Sequence, residues 1–266
     1  MNTDITVYCE GKSEGSADPE QTTLDVYYWR KVVGGLGLSK RYHFKSVGSK
    51  STLREIAQVA ENESISTVTV CYDRDYDHQL GKAFPSHRTA STRGYSWEND
   101  VLSGNVFLDV VADIIGPGAS QAESLLQVGI ELQRTRRTLA KWTEIDISLQ
   151  KVQKPSIFDR KNPSGALDHQ NLPHLRENAL RARLISCGYV RRPRRVCEVS
   201  EDAVTDVCFG KLIARSLYHY AMKICNNFAI AKVTYDYFMR QIIAAAFRDP
   251  QSALVNYHKG QSAAFS

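Results

Sequence analysis

Carboxylates gather at two places in this 266-residue sequence, each time after an apolar run of strand type. Glu10 and Glu14 close the stretch Ile5-Thr6-Val7-Tyr8-Cys9-Glu10-Gly11-Lys12-Ser13-Glu14. Asp73, Asp75 and Asp77 close the stretch Val68-Thr69-Val70-Cys71-Tyr72-Asp73-Arg74-Asp75-Tyr76-Asp77. In an α/β sheet the carboxyl ends of the strands are where ligands bind. Carboxylates brought together there repel one another and favour a divalent cation. Mg²⁺ takes a few carboxylates, several waters and a phosphate oxygen. The pattern therefore points to metal-assisted phosphate chemistry, with Mn²⁺ as the alternative ion.

Each motif also has a plainer reading. Asp is a common turn residue, and Arg74 could simply pair with the aspartates beside it. An EF-hand loop fits poorly, because His78 stands where Gly is required and Phe84 where the bidentate Glu belongs. A phosphatase of the haloacid-dehalogenase type also uses a strand ending in Asp-x-Asp, but it leaves Glu10-Gly11 unexplained. Gly11-Lys12-Ser13 imitates the end of a phosphate-binding P-loop, yet the earlier glycine position holds Thr6, inside the strand. Gly11 lets the chain turn sharply after the strand. Glu98, in Tyr95-Ser96-Trp97-Glu98-Asn99, is a candidate third acidic group or only a first-turn acid complementing the helix dipole.

The elements that must position these groups alternate in the first half. Residues 4–9, 42–47 and 66–72 read as strands. Helices are expected from Asp18-Pro19 to about Val33, stopped by Gly34-Gly35, and from Thr52, capped with Glu55. A β-α-β-α-β order favours a parallel sheet, which puts the Glu10 and Asp73 ends on one edge. Residues 76–94 read as loop, and a helix is expected from Ser96 to about Ile115. Beyond that the pattern is mainly helical: about 120–149, Asn171 to Cys187, 201–227 and 232–247. Residues 189–199 read as a short strand or a loop, and the polar tail after Pro250 as weakly ordered. Gly210 inside a helix from 201 is costly unless close packing, or a Lys211 aimed at the site, explains it. The expected division is a residue 1–115 α/β domain and a residue 116–266 basic, mainly helical domain.

Charge follows that division. Residues 1–115 hold 12 Lys+Arg against 16 Asp+Glu, net −4, and residues 116–266 hold 22 against 13, net +9. Arg134, Arg136 and Arg137, with Arg191, Arg192, Arg194 and Arg195, are either a phosphate-binding surface or solvated helix and turn residues. No apolar run approaches the roughly 20 residues of a membrane span. The N-terminus lacks a signal-peptide pattern. Six cysteines show no C-x-x-C spacing. A reducing cytoplasm without disulfides or a zinc site is expected.

Taken together, the motifs resemble the TOPRIM fold of topoisomerases, primases and OLD-family nucleases, which pairs a strand ending in Glu-Gly with a later one ending in Asp-x-Asp. Glu10-Gly11 and Asp73-Arg74-Asp75 occupy those places here. Glu14, four residues after Glu10, looks like the OLD-type variant. Asp-Arg-Asp-Tyr-Asp, Tyr95-Ser96-Trp97-Glu98-Asn99 and Gly210-Lys211-Leu212 resemble the DUF4435 family, which is similar to the nuclease effector of PARIS anti-phage systems. Tryptophan at 97 departs from the aliphatic residue expected there. The resemblance implies a TOPRIM-like parallel sheet flanked by helices and a Mg²⁺-dependent nuclease acting in defence. Its substrate would be RNA such as tRNA rather than DNA. An ABC/OLD-type ATPase would hold it inactive, and it would dimerise when released. Glu10, Asp73 and Asp75 would bind one or two metal ions, with Glu14, Asp77 and Glu98 as further ligands. Glu10 could serve instead as general base, and Lys211 or an arginine of the basic half would stabilise developing charge. The alternative is a regulatory TOPRIM module that docks on the ATPase with little catalysis of its own.

Overall fold

The chain was described from a computed structural model. It describes residues 3–266 apart from 12–22, 83, 85–86, 103–104, 117–118, 171–173 and 190–195; at 119–129 and 132 it describes the backbone only. Two compact units emerge, one of residues 1–74, 82–93 and 239–266, the other of residues 75–81 and 94–238. Residue 115, the expected domain boundary, falls within the second unit.

The first unit holds the sheet. Strands β1 (Ile5–Glu10), β2 (Tyr42–Val47), β3 (Val68–Tyr72) and β4 (Thr89–Ser91) lie in the order β2-β1-β3-β4, and every pairing is parallel. The α/β expectation holds at this level. Central strands β1 and β3 are built of Val, Ile, Thr, Tyr and Cys, which suit a surface covered on both sides. Cys9 and Cys71 are fully buried, as expected of thiols inside apolar strands. Two helices accompany them. In α1 (Leu24–Gly35), capped by Thr23, Val26, Tyr28, Trp29, Val32 and Val33 are buried. In α2 (Lys50–Asn62), Leu53 and Ala57 pack with Val70 against Tyr8, Val47, Ile56, Val68, Tyr72 and Phe84.

Helix α2 corrects the expected Thr52–Glu55 capping box. Ser49 is the cap, with extended backbone and a hydroxyl that accepts from Thr52 N at 3.4 Å. The region 76–94, expected as loop, contains β4. Three residues are too few to show an alternating pattern, and the strand is completed from far away in sequence. The Gln261 side chain accepts from Ser91 N at 2.7 Å and donates to Ser91 O at 3.2 Å.

The tail after Pro250 is also corrected. It folds as α10 (Ala253–Lys259) and a 3₁₀ turn, Ser262–Phe265, with Leu254, Val255, His258, Ala264 and Phe265 buried. Tyr28 and His258 share a 2.8 Å hydrogen bond. Thr69 Oγ1 donates to Ala264 O at 2.6 Å, and Tyr42 OH to Phe265 O at 3.0 Å. A polar, small-residue segment is ordered here because its few apolar side chains and its carbonyls fill one end of the sheet layer.

The second unit is helical: α3 (Trp97–Val101), α4 (Val106–Ile115), α5 (Ala119–Lys151), α6 (Glu177–Ser186), α7 (Val204–Val207) and α8 (Gly210–Asn227), joined by the start of α9 (Tyr235–Ala246). The helix expected over 96–115 is thus two, with α3 ending at Val101. The helix expected over 201–227 also divides, because Cys208 and Phe209 leave helical geometry. Helix α6 starts at Glu177, whereas its expected cap Asn171 lies outside the described residues. Tyr218, Tyr220 and Phe238 are buried, whereas Tyr237 is half exposed.

Candidate functional site

Glu10 and Asp73 belong to the first unit. Strands β1 and β3 are neighbours with Cys9 opposite Cys71. Glu10 is the next residue of β1, and Asp73 follows the last residue of β3. Both residues therefore stand at the carboxyl-terminal end of the sheet, on strands about 4.8 Å apart. Glu10 Oε2 is shielded from solvent.

The turn after Glu10 has a specific cause. Gly11 has φ +149°, and a Cβ on it would collide with Ser46 Oγ and lie 3.4 Å from Asp25 Oδ2. Only glycine fits. Two groups not anticipated from the sequence stand at this edge. One is the Asp25 carboxylate, in the first turn of α1. The other is Lys50, whose ammonium donates to Asp73 O at 2.5 Å and to Arg74 O at 3.0 Å. Its position at the start of a helix, just after Gly48-Ser49 and a strand, was the available signal. Arg74 turns elsewhere: its amide donates to Thr92 Oγ1 at 3.0 Å and its guanidinium to the Tyr257 hydroxyl at 2.9 Å.

Asp75, Asp77, Glu98 and Lys211 belong to the second unit. Asp75 holds φ +52° and its amide donates to Tyr95 O at 2.6 Å. A non-glycine residue in this left-handed region costs on the order of 1 kcal/mol or more. Burial first, and then the Asp75 charge, push the Tyr95 phenol well above its ordinary range, so the hydroxyl stays protonated and donates to the Asp75 carboxylate. Arg160 Nη1 lies 3.8 Å from Asp75 Oδ1. Asp77 is half-buried.

Glu98 is only 1% exposed, so it is not a surface acid at a helix start. Ser96 Oγ donates to its Oε2 at 2.6 Å. The next residue organises the region. Asn99 Oδ1 accepts from Ser96 N at 3.0 Å, while its Nδ2 donates to Thr205 O at 2.6 Å and to Cys208 O at 3.0 Å. Gly210 then begins α8 against this pair, where a Cβ would collide with Ser96 Oγ and Asn99 Oδ1. Close packing explains the glycine. Lys211 is an exposed first-turn residue of α8. The second unit thus ties residues 75, 94–100 and 205–211 together.

Glu14 and Arg191, Arg192, Arg194 and Arg195 lie outside the described residues. Of the other arginines in the expected basic surface, Arg134 pairs with Glu131 at 2.9 Å. Among the described residues no three His, Cys, Asp or Glu side chains form a metal-holding group. Glu10 and Asp73, at the carboxyl ends of adjacent strands, are donors of the type that suits Mg²⁺, which commonly takes one or two carboxylates and fills its octahedron with water and phosphate oxygens. A cavity of about 390 Å³ in the second unit, lined by Leu102, Phe107, Leu139 and Leu212 among others, includes none of the acidic candidates. No helix among the described residues is long and apolar enough to cross a membrane. No protein-family model and no curated protein matches the chain.

Proposed function

We propose that this protein is a Mg²⁺-dependent nuclease of TOPRIM type that cleaves phosphodiesters in nucleic acid, RNA such as tRNA before DNA. The observation that carries the reading is the departure of Glu10 and Asp73 from one edge of a parallel sheet, from adjacent strands. Glu10 and Asp73 would hold the cation. A bound divalent cation polarises a phosphate oxygen and lowers the pKa of a water.

The chain's own residues do the rest. Gly11 turns the backbone away and leaves the Glu10 carboxylate at the edge. Lys50 fixes the carbonyls of Asp73 and Arg74, so the Asp73 carboxylate leaves the strand in a set direction. The excess of basic residues after 115 favours a polyanion over a small phosphate ester. On this reading the protein works in the cytoplasm under the control of an ABC/OLD-type ATPase and dimerises when released, in anti-phage defence.

The test is cleavage of labelled total tRNA and of plasmid DNA by the purified chain in Mg²⁺, Mn²⁺ or EDTA, alone and with the neighbouring ATPase if one is encoded beside it. Metal-dependent cutting lost in Glu10→Ala supports the reading. Cutting that persists in EDTA, or in Glu10→Ala, refutes it.

A further inference from the structure

Arg160 forms an ion pair with a candidate acidic residue of the second unit, Asp75, and its setting differs from a surface salt bridge. Its loop is rigid. Ile157 N donates to buried Asp146 Oδ1 at 2.8 Å, and Ile157 and Phe158 are each 1% exposed. Phe158 stacks near Phe209 with ring centroids 6.2 Å apart. Asp159 Oδ1 accepts from Lys161 N at 2.9 Å and Asn162 N at 3.2 Å. Arg183 Nε donates to Ser156 O at 3.1 Å. The loop is held from both sides of Arg160, and a rigid loop presents a side chain at little entropic cost.

The guanidinium itself lies 6.0 Å from the ring centroids of both Tyr95 and Phe209. Its side chain is 49% exposed, and Asp75 Oδ1, at 3.8 Å, is beyond hydrogen-bond distance. Among the described residues none accepts a hydrogen bond from Arg160. A guanidinium bears five donors in a planar fork that matches phosphate. An arginine steadied by two aromatic rings, loosely paired with Asp75 and in the field of buried Asp146, still has donors with which to take an anion from solvent.

We propose that Arg160 binds the non-bridging oxygens of a phosphodiester of the nucleic-acid substrate beside Asp75. This inference rests on the nuclease reading above and names the cation that seats the substrate. In the absence of substrate Asp75 is a weak competitor for the same guanidinium. The plain structural alternative is that Arg160 only neutralises Asp75.

The test is fluorescence anisotropy of a labelled single-stranded RNA of about 20 nucleotides, in EDTA, with the full chain, over a series of salt concentrations. Arg160→Gln weakens binding about tenfold and lowers the slope of log affinity against log salt by about 0.7, the loss of one phosphate contact. Arg160→Lys keeps most of the slope with intermediate affinity, which also guards against misfolding of the Gln variant. Asp75→Asn binds RNA more tightly than wild type, and Asp75→Asn/Arg160→Gln stays weak. An unchanged slope in Arg160→Gln, or a double variant restored to wild-type affinity, overturns the proposal while leaving the nuclease reading intact. A wild-type chain that neither binds nor cuts RNA or DNA overturns both.

Discussion

Alanine in place of glycine should act with opposite signs at two helical positions of this chain. At Gly210, the first residue of α8, a Cβ would overlap Ser96 Oγ and Asn99 Oδ1. These atoms are not the loose ends of surface side chains. Asn99 is 1% exposed and Ser96 4%, and Asn99 is fixed by the carbonyls of Thr205 and Cys208. Overpacking of this kind costs about 1–3 kcal/mol. Weakening a buried hydrogen bond of Asn99 adds about 1 kcal/mol. Gly210→Ala should therefore destabilise by about 2–4 kcal/mol, on the order of 10 °C in Tm for a unit of this size. Gly34 offers the contrast. It is exposed, in the last turn of α1, with nothing within 4 Å of a Cβ. Gly34→Ala should stabilise by about 0.5–1 kcal/mol through helix propensity alone. Both variants are read by thermal and urea unfolding followed by circular dichroism. A Gly210→Ala protein as stable as wild type would refute the packing of α8 on Ser96 and Asn99.

Three further outcomes are expected. Phe265 is fully buried and its carbonyl accepts from Tyr42, so Phe265→Ala should cost about 3–5 kcal/mol in urea unfolding, whereas a weakly ordered tail would show no change. Lys141 donates to Glu177 at 2.8 Å and, with lesser help from other cations, holds its carboxyl below the ordinary 4.5. Stability from this pair is complete above pH 4.5 and lost as pH falls through the lowered value, so Glu177→Gln should flatten the stability profile below pH 4.5. A thiol reagent under native conditions should label Cys187 and, more slowly, Cys197, whose thiol is pushed up by burial. Cys9, Cys71, Cys208 and Cys225 should react only on unfolding; rapid labelling of all six would contradict the fold.

The alternation of apolar strands and capped helices made three strands of the sheet legible, and with them the shared edge of Glu10 and Asp73. Strand β4 was not, because three residues carry no period and its partner atoms come from Gln261. The tail was misread for a related reason. Composition reports average polarity, whereas order at 253–265 depends on a few side chains, Leu254, Val255, His258 and Phe265, reaching the core. At the site the acidic residues could be named from their places after strands, and an oddly placed glycine at 210 marked a close approach. Asp25 and Arg160 could not, since each acts across a distance in sequence that a local pattern does not encode, and Lys50 offered only its place after Gly48-Ser49. Glu98 looked like a helix-start acid and is buried, because α3 is a single short turn enclosed by α7 and α8.

The most direct measurement is titration of Mn²⁺ into the purified chain, followed by electron paramagnetic resonance of the free ion, for wild type, Glu10→Gln and Asp73→Asn. The account expects saturable binding by wild type and, because both carboxylates serve one site, a loss of at least tenfold in affinity in either single variant. Binding that is unchanged in both variants, or absent from the wild type, would contradict a cation site at the shared edge of β1 and β3.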